Sequence, residues 1–423
     1  MQSVFGESEG DRAFKMAIST ATDLAPLVRK HAMIYRRVGI TLGTLVPLLI
    51  SLVIAVGNFK YPEAVGVGAG DHISHIGATI MFLAVGLEIY SKPVNAILKH
   101  ARPDPTFAPG NHLEPEYLFV DPLNAASPPI YLNWPDRMRP YPPGDYLLFF
   151  PVAMLYHFRV IGLAWACRLV ILGLLAFCTG ISRIAFTFAM ESTDVWSLAI
   201  RFVTAVVIAA WSFCWALRGF YDVAGLFLVF LSMRSLHRRK WIDAIFYFFL
   251  AAFVHSRALY AFPIVLIALF EDWKTGGHFL ARWLRSPKIW IALAAAIVCA
   301  VCLWISLPYV KLFAPNNIYF HLSGRALHLQ YAMALGVFLA LVCAGGMIAT
   351  GEIGGLLMLV FPWAFMLQTP EVRLWHSIFW LPLILYCAQN AQTPGRRWVW
   401  AATLAMVGYL TYLVYGIEFW LFT

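Results

Sequence analysis

Long apolar stretches alternate with short polar turns along almost the whole chain. About eleven of them are roughly 13 to 24 residues long, several short of and the rest matching the length that covers the hydrocarbon of a bilayer as an α-helix. They run Val38 to Gly57, Val160 to Gly180, Val195 to Leu217, Gly219 to Met233, Trp241 to Val254 and Ala258 to Phe270, then Ile289 to Leu307, Leu327 to Thr350, Gly354 to Leu367, Leu374 to Ala388 and Trp398 to Phe419. The pattern predicts an all-α polytopic membrane protein. It divides the chain into an amino-terminal arm, residues 1–37, and a single transmembrane domain, residues 38–423. Residues 58–159 interrupt that domain as one large polar loop after the first span. Two further apolar stretches lie inside the loop, Ile76 to Tyr90 and Tyr146 to Phe158, each reaching only about 20 Å as a helix. Both are expected to lie in or on the interface without crossing.

Composition agrees with this reading. Hydrophobic residues make up 61% of the chain and charged residues 13%, about half the charged share of a soluble globule. The net charge of +9 reflects topology, because the basic residues collect in short loops. Arg234, Arg238, Arg239 and Lys240 form one cluster, Lys274, Arg282, Arg285 and Lys288 another, and Arg396 with Arg397 a third. The positive-inside bias makes these loops cytoplasmic. Crossings counted back from them put the amino terminus inside and residues 58–159 outside. A collar of Arg29, Lys30, Arg36 and Arg37 on the arm agrees, and Phe14 to Val28 is expected to lie on the membrane as an amphipathic helix. No cleaved signal peptide and no nucleic-acid partner are expected. The seven cysteines all fall in apolar segments and read as packing residues. No internal repeat of the kind common in transporters is visible.

The chemistry concentrates on the side predicted to be outside. Asp71, in Gly70-Asp71-His72-Ile73-Ser74-His75, precedes a helical run. It reads as an N-cap, as a general base, or as both, since the helix dipole keeps a carboxylate there ionised. His72 and His75 flank it as candidates to bind substrate or tune the carboxylate, and their spacing does not make a metal site. Arg218, Arg257, Lys311, Arg325 and Arg373 break the positive-inside bias at outer helix ends. Guanidinium groups bind phosphate oxygens bidentately and keep their charge at low dielectric, so a lipid-borne phosphate is the expected partner. Arg373, in a very short outer loop, and Arg257, in Val254-His255-Ser256-Arg257, rank first. His321 lies beside Lys311 in a second outer loop. Asp121, Asp136, Asp145, Glu114 and Glu116 read mostly as solvated loop charges.

The order of these features resembles the GT-C glycosyltransferases, which take sugars from polyprenyl-phosphate carriers. The resemblance rests on Asp71 after the first span and on the segment Tyr141-Pro142-Pro143-Gly144-Asp145-Tyr146-Leu147-Leu148. Next come Gly219-Phe220-Tyr221-Asp222-Val223, a span, Arg238-Arg239-Lys240, and a hairpin with Arg257 and Pro263. It covers Val38 to about Trp273 and only loosely the rest. A lysine commonly occupies the turn where this chain has Arg257. The resemblance implies a bundle of about eleven transmembrane helices and an inverting transfer to an acceptor hydroxyl outside the cell membrane, with Asp71 as base and no cofactor or metal. Arg373, Arg257, His255, His72, His75, His321, Arg325, Lys311, Tyr141, Tyr221 and Asp222 would hold the substrates. The acceptor class, whether glycan, glycolipid or protein, stays open. Rival readings are a lipid-linked oligosaccharide ligase or polymerase and, as a non-enzyme, a lipid flippase or transporter, for which Arg168 and Arg201 are the candidate buried charges.

Overall fold

The computed structural model describes residues 34–55, 76, 79, 82–83, 142–192, 194–217, 221–274, 283–306, 326–366 and 380–422. Among these the chain is helical. Its helices are α1 (Ile34–Ala55), α2 (Pro143–His157), α3 (Leu163–Ala189), α4 (Val195–Leu217), α5 (Asp222–His237) and α6 (Trp241–Val254). A 3-10 turn (Ser256–Ala261) follows, then α7 (Pro263–Lys274), α8 (Pro287–Ser306), α9 (Ala326–Ala349), α10 (Ile353–Met366), α11 (Trp380–Asn390) and α12 (Pro394–Phe422). Three of them, Ile34–Ala55, Trp165–Ala189 and Val195–Leu217, are long and apolar enough to cross a membrane. Shorter apolar helices occur at Trp241–Val254, Pro287–Cys302, Leu335–Ala349 and Ile353–Pro362. α1 turns a broad apolar face outward, with Leu42, Leu49 and Val53 all exposed, as suits a helix against lipid.

Short links make neighbours antiparallel, and charge shows which links share an end. Glu191, between α3 and α4, meets Arg36 on α1 at 3.1 Å and His237 at the end of α5 at 3.6 Å. Asp194, in the same turn, meets Arg397 on α12 at 3.6 Å, and Arg396 meets Glu352 between α9 and α10 at 2.7 Å. The start of α1, these two turns, the end of α5 and the start of α12 therefore gather at one end, called the basic end below. The end of α4, the start of α5 and the turn between α6 and α7 fall at the opposite end.

Among the described residues a small apolar cluster joins Ile200 to Ala388 and Ala391, and two large ones fill most of the bundle. The larger joins α5, α6, α7 and α11 around Phe230, Phe248, Ile264 and Trp380, all essentially inaccessible. The smaller sits toward the opposite end and joins the first turns of α3 to the last turn of α4, with Phe149, Ala153 and Tyr156 of α2 and Ile76 of the large loop. α2 is thus a packed helix with one buried face, where the sequence predicted only an interfacial helix at Tyr146 to Phe158. Phe82, from the loop's other apolar stretch, stacks on Tyr146 with ring centroids 4.5 Å apart. Pro143 starts α2 with the fixed φ of a first-turn proline, where a missing N–H costs nothing.

Several boundaries differ from the predicted ones for local reasons. α3 continues to Ala189, past the predicted stop at Gly180. Arg183 points out to the surface, Ser182 donates from Oγ to the carbonyl of Gly43 on α1 at 2.9 Å, and Ile181, Ile184 and Ala185 stay buried. The predicted span from Ala258 to Phe270 is split into the 3-10 turn and α7. Pro263 has no N–H to offer and disfavours helical geometry in Phe262 before it. Arg36 and Arg37, assigned to the arm, lie on the first turns of α1.

Candidate functional site

Three of the candidate residues meet at the end opposite the basic one. Asp222 opens α5, His255 ends α6, and Tyr221 precedes Asp222. His255 leaves the helix in extended geometry, φ −144° and ψ 113°, while its N–H still bonds the Ala251 carbonyl at 2.7 Å. This swing turns the imidazole back onto α5, where Nε2 lies 2.8 Å from Oδ1 of Asp222. Both side chains are almost wholly enclosed, 2% and 5% exposed. The indole N–H of Trp215, from the last turn of α4, faces the other carboxylate oxygen at 3.4 Å. Tyr221 stacks on the imidazole with centroids 4.6 Å apart, and Phe149 of α2 meets the tyrosine edge-on at 6.1 Å.

Two glycines permit this convergence. A Cβ on Gly225, on the first turn of α5, would stand 2.7 Å from Cβ of His255, so only glycine lets the two segments come this close. A Cβ on Gly144 would stand 2.6 Å from the carbonyl oxygen of Phe253, where α2 begins against the end of α6. Asp145 follows Gly144 and is fully buried, with its N–H bonded to the Pro142 carbonyl at 3.0 Å. The expectation that Asp145 is a solvated loop charge is therefore corrected. The Pro-Pro-Gly run from Pro142 draws the start of α2 into the bundle and carries Asp145 in with it.

Arg257 lies on the 3-10 turn directly after His255, whose carbonyl accepts the N–H of Ala258 at 2.9 Å. Asp71, His72, His75, Tyr141, Arg218, Lys311, His321, Arg325 and Arg373 lie outside the described residues. So do residues 1–33 of the amino-terminal arm, most of residues 58–159, and Asp121, Asp136, Glu114 and Glu116. Arg168 lies over the ring of Trp165, 4.8 Å from its centroid, and Arg201 donates from Nη2 to the Gln389 carbonyl at 3.0 Å. Among the described residues no three His, Cys, Asp or Glu side chains gather as a metal site.

A carboxylate held against an imidazole in an enclosed space can share or pass a proton, and it can also lock two backbone segments together. Sequence reading had singled out Tyr221, Asp222 and His255, which the structure brings together, and had not singled out Trp215 or Gly225 or expected Asp145 to be buried. A signal for Gly225 was present in its position one turn after an acidic residue that opens an apolar helix. Trp215 carried none, being one tryptophan among many. No protein-family model matches this chain, nor does any curated protein or solved structure.

Proposed function

We propose that the chain is an integral-membrane glycosyltransferase of GT-C type, with about eleven crossings, that moves a sugar from a polyprenyl-phosphate carrier to an acceptor hydroxyl. The observation that carries the reading is the meeting at one end, away from the basic loops, of the buried Asp222–His255 pair, the turn bearing Arg257, and the point where residues 58–159 rejoin the bundle. That loop carries Asp71. In this reading the carrier's tail lies among the helices and its phosphate is bound by Arg257 and Arg373, with Lys311, Arg325 and His321 nearby. Asp71 takes the proton of the acceptor hydroxyl as it attacks the anomeric carbon and inverts it, while His72, His75 and Tyr141 line the sugar and acceptor side. The phosphate departs with the bonding electron pair, and the fixed cations contribute most as negative charge develops on it. The reaction would take place on the outer side of the cell membrane with the amino terminus inside.

A ligase using a diphosphate donor would employ similar cations. A flippase would keep unpartnered charge at mid-depth, whereas Arg168 and Arg201 each have a protein partner. The deciding experiment incubates the purified chain in lipid vesicles with a panel of polyprenyl-phosphate sugars. Transfer is expected from at least one, with Asp71→Asn abolishing it in a protein that remains monodisperse. Lipid flux without transfer would replace the reading with the flippase, and full activity in the Asn variant would remove Asp71 as the base.

A further inference from the structure

We infer that Asp222 and His255 are positioning residues, a buried strut that fixes the 3-10 turn carrying Arg257, and not groups that themselves touch the donor. The inference deepens the proposed function and rests on it only for the duty of Arg257. Burial is the first argument. At 2% and 5% exposure the two side chains are closed off from the surroundings, with Nε2 of His255 and Trp215 facing the two carboxylate oxygens, so what they determine is the backbone to which they are attached. The second argument is where that backbone leads. His255 is the hinge between α6 and the turn: its N–H closes the last bond of α6, and its carbonyl accepts the first bond of the turn. Arg257 follows within that turn.

The third argument is that the elements on both sides are prepared for the strut. Asp222 sits at the start of α5, where the positive end of the helix dipole favours a carboxylate. Gly225 leaves the room His255 needs, and Tyr221 closes over the imidazole. Beyond Arg257, Phe262 donates its N–H to the Leu259 carbonyl at 2.9 Å before Pro263 begins α7. The turn is thus tied at His255 and released into a new helix at Pro263, with Arg257 between. An arginine that must meet a phosphate with bidentate geometry gains from such a mount, because each rotation frozen beforehand is not lost on binding.

The test is hydrogen exchange of the full-length protein in detergent, read by mass spectrometry on peptides covering 255–262 and, as the internal control, 263–274. Asp222→Asn and His255→Gln should each speed exchange in 255–262 by ~10-fold or more and leave 263–274 within ~2-fold of the native chain. The exchanged pair, Asp222→His with His255→Asp, should restore much of the protection. Unchanged exchange in 255–262 overturns the strut, as does equal loosening of both peptides, which would make the pair a general staple of the bundle. In the transfer assay the two single variants should raise the donor KM by ~10-fold while kcat falls by less than ~3-fold. A fall confined to kcat would return the pair to the chemistry and overturn the inference. The exchange arm needs no donor. A native chain that transfers nothing yet loosens as described ends the glycosyltransferase reading and leaves the strut in place.

Discussion

The two ends of the bundle both hold carboxylates against nitrogen-bearing side chains, but they treat them in opposite ways. At the basic end most partners stay in contact with water: Arg36 is 44% exposed against Glu191 at 24%, and Arg397 is 29% exposed against Asp194 at 53%, with Glu352 beside Arg396 the more buried exception at 10%. They join elements far apart in sequence, yet each contact is screened and individually worth little. At the other end one pair, Asp222 with His255, has been taken almost entirely out of water. Its members have given up hydration that a lone contact only partly repays, so the pair is a poor stabiliser in net terms and a strong constraint on geometry. The comparison teaches that the basic end orders the chain across an interface, whereas the opposite end spends stability on fixing one turn.

The sharpest way to break this comparison is to remove one buried partner. His255→Ala leaves the Asp222 carboxylate enclosed without its imidazole partner and is expected to cost about 3 to 5 kcal/mol, measured as a loss of thermal or denaturant stability in detergent. Replacing both partners together, Asp222→Leu with His255→Leu, should cost much less, since no orphaned charge remains. A His255→Ala cost under about 1 kcal/mol, no larger than for an exposed pair, would erase the difference between the ends.

Next in size is Gly225→Ala. The new methyl would stand 2.7 Å from Cβ of His255 and must displace the hinge, at a cost of about 1 to 3 kcal/mol. Gly173→Ala on α3 is the matched control, for nothing stands within 4 Å of its added Cβ, and relief of glycine's backbone entropy should stabilise by about 0.5 to 1 kcal/mol. Opposite signs at two helical glycines would locate the constraint at the His255 contact.

How much of this was legible beforehand follows from the range of each interaction. α4 and α6 match their predicted limits, because a mainly apolar run broken by a single charge, Arg201 in one and Asp243 in the other, and bounded by polar residues has one helical solution. The end of α3 was missed because Gly180, Ser182 and Arg183 look like a stop, and only their surroundings turn them into a continuing helix. At the site, residue types were readable and partners were not. Asp222 and His255 entered through the motifs that carry the resemblance, but nothing local says that α5 and α6 cross there. Asp145 was misjudged for the same reason, since a charge in a proline-rich loop looks solvated until Gly144 is seen against the Phe253 carbonyl.

At the basic end the effects should be small and erased by salt. Arg36→Ala and Glu191→Ala are each expected to cost under about 1 kcal/mol in dilute buffer, with most of that gone at 1 M salt, where the Debye length is about 3 Å. A cost that survives salt would mean these contacts also act through packing. The His255→Ala penalty should barely respond to the same salt, because counterions do not reach a pair so enclosed.

The subtlest prediction sets two carboxylates of the basic end against each other. His237 beside Glu191, chiefly through a side-chain hydrogen bond and helped by the charges of His237, Arg36 and Arg238, holds that carboxyl below its ordinary value. Burial pushes the Glu352 carboxyl up, and Arg396 only partly offsets it. For Glu191 the folded value lies below the unfolded one, so its contribution is present above the ordinary value near ~4.3 and is lost as pH falls through the folded value. For Glu352 the folded value is the higher, so ionisation costs stability as pH rises from the ordinary value through the folded one. Stability followed from pH 3 to pH 7 should therefore rise through the lower part of the range on account of Glu191 and be held back above it by Glu352. Glu191→Gln should flatten the lower limb and Glu352→Gln should lift the upper. If both substitutions altered the same limb in the same direction, the two carboxyls would share one environment, and the claim that this end mixes exposed latches with a buried contact would fail.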